Sequence, residues 1–431
     1  MESVIASGND APIPEIDPSV YQNQASFVVR REQTTTTCAS PVISPNAVRT
    51  AKLTIVDGNF LDLSTLHFSF IVKNLSATLP LQPLDAIPHG WWRRMILRVN
   101  GATVEDISHV GRLETQISRF VSTNKRRNWG DAGHGWASLT DISTDAVAKG
   151  IEHAAVAANG VPAVPGFQRV TWRPLSSGFL QANKFLPMLG GASGGLSLEL
   201  ECSDLTDACS TAAGNSQEWQ LEQIQVHVDS VQLTSEMTNN FAEMLIRGES
   251  ILIPYTANAM DVQYLNAGEN QVLSLAKQYS RLATVGVSLG VAAGATIAGA
   301  SMNNFLLPRT SNETVESYIQ VNNQRWPQFN IVGTKQHFHR MMQALGVWNS
   351  ASHAVCISAA GYGDGSAAAT QFLALYDLEA VPGAEASGTP VQGGGQVQIT
   401  LKGVAGATRA YISTHFDSVL EIKSQGAICY S

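Results

Sequence analysis

Short runs of alternating apolar and polar residues dominate the chain beyond about residue 50. Leu66, Phe68, Phe70 and Val72 alternate with His67, Ser69 and Lys73. Leu196-Ser197-Leu198-Glu199-Leu200 follows the same rule, as do Ile224, Val226 and Val228 set between Gln225, His227 and Asp229. The period returns in Val397-Gln398-Ile399-Thr400-Leu401, in Arg409-Ala410-Tyr411-Ile412-Ser413 and in Val419-Leu420-Glu421-Ile422. A period of two puts one face of each segment inside, and the Gly, Asn and Pro clusters between segments mark turns. Many short strands at this spacing predict antiparallel sandwiches or barrels.

Helical spacing is confined to three places. Val110, Leu113, Ile117, Phe120 and Val121 form one stripe behind Ser108, a candidate N-cap. Phe338, Met341, Met342 and Leu345 form another over 335–345 behind Thr334, and Met237, Phe241 and Met244 mark a third over 236–246. The first two occupy matching places. Each follows a strand ending in Val-Asn (Val99-Asn100 and Val321-Asn322), a turn on Gly101 or Asn323, and a second extended piece. Asn-Gly is the strongest short hairpin signal, and Asn-Asn also tolerates positive φ. The two Val-Asn pairs lie 222 residues apart, about half of the 431-residue chain. A duplicated β-sandwich accounts for length, alternation and repeat together. The expected division is an N-terminal arm over 1–48, a first sandwich over 49–235, a connecting helix and linker over 236–249, and a second sandwich over 250–431. Each amphipathic helix is expected to cover its own sandwich.

Composition narrows the function classes. Charged residues make up only 14% of the chain, against about 25% in a typical soluble domain. Such a chain is either rich in β-turns or extensively covered by partner subunits. The net charge of −8 gives no general attraction to nucleic acid or anionic membranes. The five cysteines, Cys38, Cys202, Cys209, Cys356 and Cys429, show no C-x-x-C spacing. Neither a zinc site nor a disulfide framework is expected, and a reduced intracellular setting is the default. Met1-Glu2-Ser3-Val4 begins neither a basic nor an apolar region, so no signal peptide is expected. Residues 282–308 carry no charge and are long enough to span a bilayer. Their Ala, Gly, Ser and Thr content, with alternating Val285, Val287, Leu289 and Val291, predicts strand and loop instead.

Candidate chemistry is thin. Gly191-Ala192-Ser193-Gly194-Gly195 spells G-x-S-x-G, but a strand rather than a helix follows it, so the serine has no oxyanion support. Gly361-Tyr362-Gly363-Asp364-Gly365 lacks the lysine and spacing of a phosphate loop. His337 and His339 would diverge by about 200° on a helix, with no third ligand evident. No catalytic residue, metal site or cofactor is expected. Lys125-Arg126-Arg127 beside Trp129 reads as a solvated loop or subunit contact. Trp91-Trp92-Arg93-Arg94 carries two readings: a buried subunit contact, where Trp and Arg are enriched, or a core-edge tryptophan pair with snorkelling arginines. The sequons at Asn74 and Asn312 have no secretory context.

Four stretches together resemble a known family. They are 91–107, where the Asn-Gly turn leads to Val104-Glu105-Asp106; Leu186-Pro187-Met188 leading into 195–201; 226–241; and Leu375-Tyr376-Asp377-Leu378-Glu379 followed by 396–401 and 411–422. In order and spacing they resemble the double jelly-roll major capsid proteins of the adenovirus hexon, tectivirus, Polinton-like and giant-virus lineage. The resemblance runs from about residue 50 to the C-terminus. It departs from the family at Asn322-Asn323, which replaces a second Asn-Gly, and at 282–308, which matches nothing in it.

The resemblance implies an all-β protein of two consecutive eight-stranded antiparallel jelly rolls with a few short helices. It further implies a homotrimer whose six rolls form a pseudo-hexagonal capsomer of an icosahedral shell, assembled in the host cell and residing in the virion. Its partners would be other copies, neighbouring capsomers, and penton and minor capsid proteins, with an internal membrane left open and no specific nucleic-acid binding. The Gly- and Ala-rich stretch 123–167 is the candidate outer tower of the first roll.

Three other readings stand beside it, one of them an enzyme, for which the residues offer no support. A single-jelly-roll shell protein of a small RNA virus is disfavoured by the duplication and by the arm, where Glu2, Asp10, Glu15 and Asp17 precede the first basic residue, Arg30. A carbohydrate-binding or adhesin β-sandwich would display an aromatic platform, and Trp129, Trp136, Trp326 and Trp348 do not cluster in sequence.

Overall fold

The computed structural model describes residues 28–81, 83, 89–121, 151, 166–182, 184–189, 194–209, 214–265, 270–291, 315–347, 355–357, 362–363, 371–379, 388–391, 395–404 and 408–430. The first half holds β1 (Val28–Thr37), β2 (Val42–Ile43), β3 (Thr50–Ile55), β4 (Phe60–Asn74), β5 (Trp92–Val99), β6 (Ala102–Ser108), helix α1 (Val110–Ser118), β7 (Phe167–Trp172), β8 (Leu186–Pro187), β9 (Leu196–Cys202) and β10 (Trp219–Leu233). Helix α2 (Ser235–Ile246) connects the halves. The second half holds β11 (Ile251–Tyr264), β12 (Asn270–Leu275), β13 (Tyr279–Val291), β14 (Glu316–Val321), β15 (Gln324–Val332), helix α3 (Gly333–Ala344), β16 (Leu373–Asp377), β17 (Thr389–Val391), β18 (Val397–Lys402), β19 (Thr408–Lys423) and β20 (Gly426–Tyr430).

These strands make four antiparallel sheets in two matching pairs. The first half pairs β1-β10-β4-β7 in one sheet and β3-β9-β5-β6 in the other; the second pairs β11-β19-β13-β16 and β12-β18-β14-β15. The short strands β2, β8, β17 and β20 attach to β10, β4, β13 and β19 respectively. Taking the eight principal strands of each half in chain order, one sheet runs first-eighth-third-sixth and the other second-seventh-fourth-fifth. That is the jelly-roll order, and it occurs twice. A single-roll shell protein is therefore excluded.

The match extends to individual residues. In the first roll Leu53 and Leu97 flank Leu198 across the sheet; in the second Leu273 and Ile319 flank Ile399. All six are buried. One pair further on, Val99 faces Leu196 and Val321 faces Val397. The chain then turns at Asn100 (φ 46°) and Gly101 (φ 82°), or at Asn322 (φ 51°) and Asn323 (φ 65°). Positive φ at both central positions requires the Asn and Gly residues found there. Burying each Leu or Ile of these rows contributes roughly 1.5–3 kcal/mol, which sets the register: a slip by one residue would turn a whole row outward.

Three expectations need correction. The arm does not extend to residue 48: β1 pairs with β10 from Val28 to Thr37 and so belongs to the first roll. Most of its residues are exposed, so the alternation that reveals a half-buried strand is absent. Ser108 does not cap α1. His109, at φ 52°, holds the N-cap position, while the Ser108 hydroxyl donates to the Met260 carbonyl across the molecule. Finally, α1 covers more than its own roll. Helix α3 packs on the second core, with Met341 buried and Phe338, Met342 and Leu345 half-buried against it, whereas α1 packs on β5 and the first core through Val110 and Leu113 and also meets the second roll through Arg112 and Gln116. Helix α1 lies between the two rolls. Of the uncharged stretch 282–308, residues 282–291 belong to β13 and the remainder lies outside the described residues. No helix among the described residues is long and apolar enough to cross a membrane.

The different settings of α1 and α3 give different outcomes for equivalent substitutions. Leu113 is fully buried in the shared core, so Leu113→Asp should cost about 4 kcal/mol or more and abolish soluble expression. Leu345, half-buried at the end of α3, should tolerate Asp with a loss of about 1–2 kcal/mol, read as a lowered melting temperature of a folded protein. Soluble L113D protein with an unchanged melting temperature would contradict the assignment.

Candidate assembly surface

The tryptophans of the candidate interface cluster are core residues. Trp91 is fully buried, with its ring centroid 4.9 Å from that of Trp219. Trp92 is equally covered and meets Phe70 edge-on at 5.5 Å. They sit where β5 enters the sheet, so the apolar bulk fills the sandwich. Arg93 and Arg94 stay on the surface. Arg93 Nη1 donates to Asp204 Oδ2 at 3.1 Å, and Arg49 binds the other oxygen of the same carboxylate at 2.6 Å. Arg94 forks onto Asp106 with bonds of 2.7 and 2.6 Å. The structure thus separates the cluster into two core residues and two exposed, ion-paired arginines.

A different surface was missed by sequence reasoning: the seam between the rolls. Strands β11 and β20 pack across β6. The Tyr255 hydroxyl donates to the Val104 carbonyl at 2.9 Å, and Asn258 Nδ2 donates to the Ser176 carbonyl at 2.6 Å. From α1, Gln116 Nε2 donates to Ser413 Oγ at 2.7 Å, and the Arg112 guanidinium lies 5.1 Å from the centre of the Tyr411 ring. Asp207 of the first roll pairs with Arg409 of the second at 3.0 Å. Gly178 lies so close to β11 that a Cβ there would collide with the Thr256 carbonyl. Ile253, Tyr255 and Ala257 consequently belong to the same hydrophobic core as the first roll's own strands.

Two carboxyl groups are buried on the first roll's side of this seam. Glu105 accepts hydrogen bonds from the Ser177 hydroxyl and from the backbone N–H groups of Gly178 (3.0 Å) and Phe179 (3.3 Å). Glu114 accepts from the Ser176 N–H at 2.6 Å. Burial pushes both carboxyls up to about 7, against the pull of these donors. Glu105 therefore holds the 176–179 segment against β11. On the other side, burial lowers His415 to about 4, and its ring bonds Asn258 Oδ1.

The remaining sequence motifs resolve as structure. His337 is buried, with ring nitrogens 2.7 Å from both Ser317 Oγ and the Gly333 carbonyl. Among the described residues no three His, Cys, Asp or Glu side chains group as a metal site. Gly195 (φ 95°) leads directly into strand β9; Gly191, Ala192 and Ser193 lie outside the described residues. Of the 361–365 loop only Tyr362 and Gly363 are described, and the Tyr362 hydroxyl, buried, donates to the Leu373 carbonyl at 2.7 Å. Asn74 of the first sequon is buried and donates to the Leu79 carbonyl at 2.8 Å. Lys125, Arg126, Arg127, Trp129, Trp136, Trp348 and Asn312 lie outside the described residues, as does nearly all of 123–167. Trp326 is exposed on β15.

No protein-family model matches the sequence, and no curated protein matches it. Solved structures do resemble the fold. A chain of the PBCV-1 virus capsid superposes with a TM-score of 0.61 at 12% identity, covering 95% of this chain and 98% of its own. A chain of the Sputnik virophage gives 0.55 at 12% identity, with 97% and 92% covered. The Faustovirus major capsid protein gives 0.53 at 10% identity, with 95% and 92% covered. At these identities the likeness is one of fold, and it takes in both rolls and their arrangement.

The buried carboxyls make the seam sensitive to pH. A carboxyl raised from its unfolded value near 4.5 to about 7 contributes stability that is complete below 4.5 and lost as pH rises through 7. Glu114→Gln keeps the acceptor for Ser176 without the titration. The melting temperature of E114Q relative to wild type should therefore climb between pH 5 and pH 8, by the equivalent of up to about 3 kcal/mol. A difference that stays flat or falls would show that Glu114 does not titrate in this way.

Proposed function

We propose that this chain is the structural major capsid protein of an icosahedral virus and assembles as a homotrimer. The observation that carries the reading is the repetition of one roll within a single chain, fused side by side through a buried, hydrogen-bonded seam. Three copies would supply six similar rolls, enough for a ring of pseudo-hexagonal outline. Likeness of fold to capsid chains over nearly the whole length supports the same role. So does the low charge content, because a tile covered on most sides has little surface that must carry charge. The role places the protein in the virion, in contact with neighbouring capsomers and with penton and minor capsid proteins. Arg93 and Arg94, exposed on the outer face of β5, are proposed for contacts between capsomers; the buried Trp91 and Trp92 are not.

A carbohydrate-binding or adhesin module is less well supported. Of the eight tryptophans, four (Trp91, Trp92, Trp172 and Trp219) are in the core, where no sugar can stack on them.

Light scattering on the purified full-length protein should give about three times the chain mass of 46.0 kDa, with hexagonal outlines in negative stain. A stable monomer at micromolar concentration would count against the proposal.

A further inference from the structure

The two rolls are alike in topology but not in what covers them. Val104 is the third residue after the Asn100-Gly101 turn, and it is 6% exposed because β11 and β20 lie over β6. Trp326 is the third residue after the Asn322-Asn323 turn, on the equivalent strand β15, and it is 52% exposed. Phe329 on the same strand is 84% exposed, and Val332 at its end 38%. Strand β15 is the outermost of its sheet, so its outer edge has no neighbouring strand among the described residues. A bare edge carrying a tryptophan and a phenylalanine is a surface built to be covered.

The missing cover is present elsewhere in the same chain. What buries β6 is β11, the first strand of the following roll, paired there with β19. The equivalent first strand of the first roll is β1, paired with β10. Most of β1 is exposed, including Val29 at 62%. The chain therefore leaves bare, on its two flanks, counterparts of the two halves of the contact that it makes internally. Such a head-to-tail contact between identical copies closes into a ring when the rotation per copy divides a full turn.

We propose that Trp326 and Phe329 anchor a second copy of this chain, whose β1–β10 sheet covers β15 and α3 as β11–β19 covers β6 and α1. The assignment rests on the trimeric reading above and specifies the surface that makes it. Both anchors are aromatic, the residue type that dominates the energetics of buried contact centres. The covering strand carries the uncharged run Thr34, Thr35, Thr36 and Thr37, which can be dried without stranding a charge.

The test uses the full-length protein carrying Trp326→Asp and Phe329→Asp together. Because both side chains are exposed in the single chain, the variant should fold with the circular dichroism of wild type and melt as unassembled wild type does at low concentration. Its self-association, measured by sedimentation, should be at least about 30-fold weaker, the loss expected for truncating one strong anchor. Val272→Asp, exposed at 62% on the opposite edge strand β12, should associate as wild type. Hydrogen exchange on the wild-type protein gives a reading independent of any variant. Peptides spanning β1 and β15 should gain protection together as concentration drives assembly. If wild type assembles, and the double variant assembles equally well or either strand stays unprotected, the surface is misassigned while the capsid reading stands. A wild-type protein that never associates overturns both.

Discussion

The seam between β6–α1 and β11–β19 is the contact on which the rest of the molecule depends. An isolated roll of this kind would leave Val104, Gln116 and the backbone at Gly178 without the cover that the second roll supplies, and would open one side of the Glu105 site. Joining a second roll removes all of these costs at once. Apolar area is covered, the Asn258 amide reaches the Ser176 carbonyl, and the two carboxyls stay buried among donors. The closeness at Gly178 makes the fit unforgiving, since any side chain there would push the rolls apart. Ile253 and Tyr255 complete the first roll's core, so the chain is better described as one body with a duplicated plan than as two independent sandwiches.

Much of that plan was legible in the sequence because the core strands obey period two. Leu196-Ser197-Leu198-Glu199-Leu200 alternates buried and half-buried residue by residue, and the Val-Asn turns mark the same hairpin in both halves. What escaped were elements whose environment is not their own roll. Strand β1 is an exposed edge, so Arg30, Arg31, Glu32 and the threonines carry no alternation. Gln116 and Glu114 are polar residues on a helix, yet both are buried: Gln116 meets Ser413 of the second roll, and Glu114 takes the Ser176 N–H of its own. The Trp91-Trp92 pair was ambiguous for a simpler reason: large aromatic side chains suit cores and interfaces equally, and only the Trp219 and Phe70 partners distinguish the two. Trp326 and Phe329, two of the aromatic residues that do face outward, sit singly on a strand with little periodicity.

The same asymmetry connects structure to role. A duplicated domain that met only itself would bury both hairpins alike. Here one hairpin is closed by the chain and its twin is exposed, as the proposed assembly requires. In the proposed assembly the seam is also the pattern for the contact between copies, so that one kind of interface serves inside the chain and again between chains. The surfaces differ in sequence, Val104 in one place and Trp326 in the other, so the two uses can differ in strength.

The most direct test is a structure of the assembled oligomer at side-chain resolution. Three-fold symmetry is expected, with six similar seams: three within chains, between β6–α1 and β11, and three between chains, between β15–α3 and β1. Superposing the two kinds should place Trp326 over Val104 and β1 over β11. An oligomer in which β15 remains exposed, or is covered by anything other than the first roll of a neighbouring copy, would contradict it.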